Sequence, residues 1–243
     1  MEGLLVFDKL NIQSHRGLYS VSFDNKYLSD NMSFTDGQFH YLVDSNVAQL
    51  FKIELGSILE NPNTIIIEAV EDNKSIEKVI PVIDKLVKNK VRRGHVLVAI
   101  GGGIIQDITC FIASTLLRGL PWHFIPTTLL AQADSCIGSK SSINLGSTKN
   151  ILGTFNPPQK IIIDTNFLET LEKKEIFSGI GEIIKVLAIQ GVNSFESLAE
   201  DYELLLTDKI TLLKYIREAL FIKKKYIEED EFDRGIRNIF NYG

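Results

Sequence analysis

GGGIIQD (101–107), LLRG (116–119) and PTTLLAQADSCIGSKSSINLGSTKN (126–150) lie within fifty residues of one another. Core packing alone asks for no run that combines three consecutive glycines, a Pro-Thr-Thr turn, acids and spaced lysines. Such polar density behind an apolar strand predicts a nucleotide and an anionic substrate held side by side. The strand is HVLVAI (95–100), and IIQDITCFIASTLL (104–117) continues from the glycines as a helix. A glycine turn at the carboxyl end of a strand lets backbone approach a pyrophosphate, and the N–H groups of the next helix can meet it. The spacing is not G-x-G-x-x-G, because Gln106 and Asp107 occupy its last positions, and a plain tight turn between strand and helix accounts for the glycines equally well.

Outward from this stretch, the same alternation recurs. FHYLV (39–43) reads as a strand closing on the polar turn Asp44-Ser45-Asn46, a plausible helix cap. TIIIEA (64–69) reads as a fully apolar strand. Ser75 is placed to cap a helix whose apolar stripe is Ile76, Val79, Ile80, Ile83, Leu86 and Val87. WHFI (122–125) is a further strand, and after Asn156-Pro157-Pro158 comes KIIID (160–164). Strands and helices at this spacing predict a Rossmann-like parallel α/β sheet. From Thr170 the pattern turns helical, over 178–190, 194–206 and 208 to about 231. The predicted organisation is a nucleotide-binding α/β domain over 1–158 and an all-helical domain over 159–243.

Composition excludes several classes. With 44% hydrophobic and 23% charged residues, the 243-residue chain reads as an ordinary globular protein with room for a large core. A net charge of -5 argues against nucleic acid, which favours a broad basic face. No apolar run approaches the roughly 20 residues of a membrane span. The opening MEGLLVFDKL meets an acid at once, so no signal peptide is expected there. Cys110 and Cys136 lack metal spacing and read as buried thiols in a reducing cytoplasm. The four histidines, His15, His40, His95 and His123, show no ligand spacing.

Several polar residues remain to be explained. Asp107 in a first helical turn favours the helix dipole or accepts a hydroxyl. Thr127 and Thr128 follow a strand on the rim where such sheets bind ligands, although local turn bonding explains them in isolation. Asp134, Lys140, Lys149 and Asn150 interrupt a run of small residues, which favours phosphate contacts over solvated lysines. Glu182 and Lys185 are three apart on an apolar helix, and a carboxylate there needs a cation or a metal. Lys223 and Arg237 flank the acidic run EEDEFD, and Arg237 and Asn241 share a face if the end is helical.

Taken in order, these motifs resemble the 3-dehydroquinate synthase family, the sugar phosphate cyclases. The resemblance covers nearly the whole chain and is strongest over 101–190. It implies a dehydroquinate synthase-like fold, NAD, a divalent metal (zinc or cobalt), a sugar phosphate substrate and a homodimer. By matching motif it implies nucleotide contacts from Asp44, Asn46, Glu71, Lys74, Gly102, Gly103, Asp107, Thr127, Thr128, Lys149, Thr170 and Leu171. Substrate contacts would fall on Asp134, Lys140, Asn150, Lys185, Lys223, Arg237 and Asn241. Glu182 would be a metal ligand. The family's two metal histidines belong to a motif beginning N-x-G-H, and Asn241-Tyr242-Gly243 stops one residue short of the first. The resemblance therefore implies that the helical domain is incomplete, that these 243 residues alone do not complete the reaction, and that apolar helix faces after Ser178 are left uncovered.

The reaction so implied converts 3-deoxy-arabino-heptulosonate 7-phosphate to 3-dehydroquinate with release of phosphate. One departure stands out: dehydroquinate members typically read GGKTG or GGKTA where this chain has Gly138-Ser139-Lys140-Ser141-Ser142. A cyclase for another sugar phosphate, of the 2-deoxy-scyllo-inosose or epi-valiolone synthase type, is the close alternative. The fold is shared with iron-dependent alcohol and glycerol dehydrogenases, against which the LLRG, KN and GxxExxK motifs argue. A non-catalytic nucleotide-binding remnant is the reading from outside the enzymes.

Overall fold

The computed structural model describes residues 9–24 and 38–241. Two strands, β1 (Lys9–Ser14) and β2 (Gly17–Phe23), form an antiparallel hairpin that the sequence pattern did not signal. β3 (Phe39–Asp44) leads into α1 (Ser45–Leu50) and the short α2 (Gly56–Leu59). Then come β4 (Thr64–Ile67), α3 (Ile76–Lys88), β5 (Val96–Gly101), α4 (Gly103–Thr115) and β6 (Trp122–Pro126). A second antiparallel hairpin, β7 (Lys140–Leu145) with β8 (Thr148–Phe155), precedes β9 (Lys160–Ile163). The helical remainder is α5 (Lys173–Gln190), α6 (Val192–Glu200), α7 (Tyr202–Leu205) and α8 (Lys209–Glu229), ending in a 3-10 turn at Ile236–Asn241.

Seven strands make one sheet in the order β1-β2-β9-β6-β5-β3-β4. All neighbours are parallel except β1 and β2. Because side chains alternate across a strand, β5 sends Leu97 and Ala99 into one core and Val98 and Ile100 into the other. α1, α2 and the turn between them cover the second face through Val47, Phe51, Leu55 and Ile58. α3, α4, α5 and α8 contribute to the larger core on the first. Burial on both faces explains the continuous Val/Ile runs, as expected of a parallel sheet with helices on both sides. Each fully buried aliphatic chain here contributes about 1.5–3 kcal/mol.

Several expectations are corrected. β9, read as a strand from sequence but assigned to the segment 159–243, lies inside the sheet between β2 and β6, so the sheet continues past 158. β4 is an edge strand, and Ile66 is 53% exposed, so this run is not buried throughout. The buried stripe of α3 is Val79, Val82 and Leu86, while Ile80 and Val87 point outward. Ser75 precedes α3 without a side-chain cap; its hydroxyl donates to Asp72 O at 3.2 Å. The helix expected over 194–206 breaks at Asp201, and α5 starts at Lys173 rather than 178. The end is a 3-10 turn, so Arg237 and Asn241 do not share an α-helical face. Among the described residues, no helix is long and apolar enough to cross a membrane.

Candidate active site

The carboxyl ends of β3, β5 and β6 form the rim of the sheet. Asp44 ends β3 and caps α1, accepting the Asn46 N–H at 2.9 Å. Burial pushes its carboxyl above the ordinary value, and the N–H groups of Asn46 and Val47 pull against that shift. Gly102 begins α4 with no side-chain cap, leaving its first-turn N–H groups for a ligand. A Cβ on Gly102 would lie 3.0 Å from Thr128 Cγ2, whereas one on Gly103 would meet nothing within 4 Å. The backbone thus approaches Thr128 on one side and open space on the other. Thr127 N–H donates to Gly101 O at 3.0 Å, and Thr128 Oγ1 accepts the Ala131 N–H at 3.2 Å, so both also serve the local turn.

A polar network links this rim to the β7–β8 hairpin. The buried Lys74 ammonium donates to Asp107 Oδ2 at 3.1 Å and to Asn150 Oδ1 at 2.9 Å, with Glu71 at 3.7 Å. Burial raises the Asp107 carboxyl, and the Lys74 charge and hydrogen bonds from Lys74 and Ser142 oppose that. Asn144 closes the network, donating to Glu71 Oε1 at 3.0 Å and accepting Asn150 N–H at 2.8 Å. Ser142 and Asn144 were not singled out from sequence; the only signal was their place in the SSIN frame after Lys140. Lys149 is exposed on β8, Asn46 is exposed on α1, and Thr170 and Leu171 lie between β9 and α5.

Beside the start of α4 lies a cavity of about 230 Å³. Of the residues assigned from sequence, Gly103, Asp107, Asp134, Lys140, Lys223, Arg237 and Asn241 line it. Gln106, Ser135, Ile137, Asp233 and Phe240 also line it and had no site role assigned from sequence. One π-helical turn at Ala131–Ser135, closed by Cys136 N–H to Ala131 O at 2.9 Å, presents Asp134 and Ser135. Lys223 on α8, with a side chain only 6% exposed, donates to Asp134 O at 2.7 Å and meets Asp134 Oδ1 at 2.8 Å. Gln106 and Ser135 exchange two hydrogen bonds, fixing α4 against this turn. Arg237 is buried, donates to Glu231 O at 2.7 Å, and comes so close to Gly138 that a Cβ there would lie 2.9 Å from Nη2. Three cations, Lys140, Lys223 and Arg237, therefore converge beside an uncapped helix N-terminus. That arrangement suits a phosphorylated ligand adjacent to a nucleotide.

Asn150 and Lys185, also expected at the substrate, do not line this cavity. Asn150 belongs to the Lys74 network, and Lys185 pairs with Glu182 at 2.6 Å on α5. Glu182 Oε2 is shielded from solvent, and the Lys185 ammonium supplies its charge partner. Among the described residues, no group of three His, Cys, Asp or Glu side chains is arranged to hold a metal ion. A zinc site normally uses three protein ligands, so Glu182 alone does not fit one. The glycine-led start of α4 does fit the pyrophosphate of NAD.

Comparison with known proteins agrees with this α/β fold. The family described as 3-dehydroquinate synthase N-terminal matches residues 64–178, and 3-dehydroquinate synthase C-terminal matches 179–243. The chain belongs to the 3-dehydroquinate synthase family. A 3-dehydroquinate synthase of Clostridium tetani (strain Massachusetts / E88) is 35% identical over 229 residues, covering 93% of this chain and 60% of that protein. The chain thus spans about 60% of the length of that curated relative. Among solved structures, ValA (2-epi-5-epi-valiolone synthase) from Streptomyces hygroscopicus subsp. jinggangensis 5008, with NAD+ and Zn2+ bound, superposes with a TM-score of 0.81 at 27% identity. That match covers 92% of this chain and 65% of ValA. A 2-deoxy-scyllo-inosose synthase complexed with carbaglucose-6-phosphate, NAD+ and Co2+ gives 0.78 at 20% identity, covering 96% and 66%, a likeness of fold.

Proposed function

We propose that the protein carrying this chain is a 3-dehydroquinate synthase, converting 3-deoxy-arabino-heptulosonate 7-phosphate to 3-dehydroquinate with release of phosphate. It would be a carbon–oxygen lyase using NAD and a divalent metal, zinc or cobalt, and it would act as a cytoplasmic homodimer. The observation that carries the reading is the convergence of Lys140, Lys223 and Arg237 on one cavity next to the start of α4. The 35% identity to a 3-dehydroquinate synthase supports the substrate assignment. The family resemblance supports the dimer, and two buried free thiols suit the compartment. We also propose two units, a nucleotide-binding sheet and a helical unit, dividing after β9.

In this reading the N–H groups at the start of α4 and Gly102–Gly103 bind the pyrophosphate of NAD. NAD, when bound, takes up and later returns a hydride, so that a substrate hydroxyl is a ketone while phosphate leaves. Lys140 and Arg237 hold the phosphate and offset the charge that grows as the C–O bond breaks. Asp134, held in place by Lys223, accepts a hydrogen bond from a substrate hydroxyl, and Asn241 contributes an amide beside Lys140. Ile137 and Phe240 limit water. Orientation in the closed site supplies much of the rate. The residues described do not assemble a metal site, and no step is assigned to one.

A second reading, a cyclase for another sugar phosphate, is favoured by one observation. Gly138-Ser139-Lys140-Ser141-Ser142 borders the cavity at Lys140, and ValA is a structural relative at 27% identity. Both readings require NAD. Titration calorimetry should find one saturable NAD site on the chain, weakened more than about tenfold (1.4 kcal/mol) by Gly102→Val, whose branched side chain would crowd Thr128. A folded chain that binds no NAD would overturn both.

A further inference from the structure

Two of the groups assigned above to substrate turn to a single carboxylate of the chain itself. The Lys140 ammonium and the Asn241 amide both meet Asp233 Oδ2, the amide at 3.2 Å. Burial pushes the Asp233 carboxyl up, yet hydrogen bonds from Lys140 and Asn241 and the charges of Lys140 and Arg237 leave it below its ordinary value. Its side chain is only 7% exposed, and Oδ1 is buried without a hydrogen bond. The backbone holds it there at a cost, since Asp233 sits at φ 56 in the left-handed region. Asp230 enforces that turn by accepting the N–H groups of Arg234 and Gly235 at 2.9 and 2.7 Å and of Arg237 at 3.2 Å.

A buried carboxylate with one unsatisfied oxygen and a strained backbone is an unfavourable way to neutralise a lysine. A bound anion at the same place would relieve both. We propose that Asp233 is a specificity-determining stand-in for the substrate's phosphate: its carboxylate occupies the anion position between Lys140, Asn241 and Arg237, and an incoming phosphate must displace it. A phosphate carrying up to two charges outcompetes this monoanion, whereas a singly charged ligand gains little by the exchange. The inference rests on the reading of these three residues as substrate ligands.

Inorganic phosphate is the probe, titrated calorimetrically into the 243-residue chain, Asp233→Ala and Asp233→Asn. If the anion position is open about a tenth of the time, removing the competitor should tighten phosphate binding about tenfold. Asp233→Asn should move in the same direction, because it keeps the shape and drops the charge. It decides the matter if the alanine variant does not fold, and unchanged NAD affinity reports folding. Adding Lys140→Ala to either variant should remove the gain. Phosphate binding equal to or weaker than that of the unaltered chain in both single variants would overturn the stand-in and make Asp233 a support for Lys140 and Asn241. Phosphate binding to none of them would overturn the reading of the cavity as an anion site, and the stand-in with it.

Discussion

Lys223→Met should destabilise the protein by about 3 kcal/mol and abolish its activity. Lys223 lies on α8 with its ammonium between Asp134 O and Asp134 Oδ1, and the pair is largely buried. Methionine keeps the stem's packing but leaves the Asp134 carboxylate without its cation and one buried carbonyl without its donor. Breaking a buried pair from one side costs about 3–5 kcal/mol, because the remaining charge stays desolvated, whereas an exposed pair costs about 1 kcal/mol or less. Guanidinium unfolding should show a lower midpoint at unchanged slope. Combining Lys223→Met with Asp134→Asn should recover most of the stability and none of the turnover, separating the fold's need for the pair from the substrate's need for the charges. A loss below about 1 kcal/mol would mean that water reaches the pair freely.

Gly179→Ala should destabilise by about 3 kcal/mol, opposite in sign to the usual change within a helix. Gly179 lies inside α5, where alanine ordinarily gains about 1 kcal/mol over glycine. Here the helix presses on the turn after β6. An added Cβ would lie 2.6 Å from Leu129 Cβ and 2.8 Å from the Leu129 carbonyl carbon. A side-chain tip could swing aside, but backbone cannot, so α5 must shift outward. That shift would loosen α5 against the turn after β6, and thermal unfolding would register the loss. A variant as stable as the parent would show that α5 docks more loosely than its contacts imply.

The parallel sheet was legible because strands buried on both faces announce themselves as apolar runs. Those at 96–100, 122–125 and 160–163 each ended in a polar or glycine-rich turn. The two hairpins were not legible. KSSINL and TKNILGTF mix serine, glycine and asparagine, and their strand character comes from pairing with each other and packing on α4. Edge exposure was equally hidden, since nothing local marks Ile66 or Ile80 as outward-facing. In the cavity, Lys140 stood out as a cation among small residues, whereas Lys223 and Arg237, which flank the acidic run EEDEFD, were reached through the family resemblance. Asp233 did not, because within EEDEFD it reads as one more solvated acid. Its position depends on Asp230 capping the following turn, a relation that only the folded backbone displays. Lys185 and Glu182 were assigned to substrate and metal by matching motif; three residues apart on α5, they pair with each other in this structure.

The central claim is that this cavity holds a seven-carbon sugar-acid phosphate beside NAD. The direct measurement is phosphate release by the protein carrying this chain, loaded with divalent metal, from 3-deoxy-arabino-heptulosonate 7-phosphate and, in parallel, from glucose 6-phosphate and sedoheptulose 7-phosphate. The account predicts NAD-dependent release from the first substrate at least about a hundredfold faster than from the others, a preference worth about 2.7 kcal/mol. Comparable or faster release from either of the others, or release that ignores NAD, would contradict it.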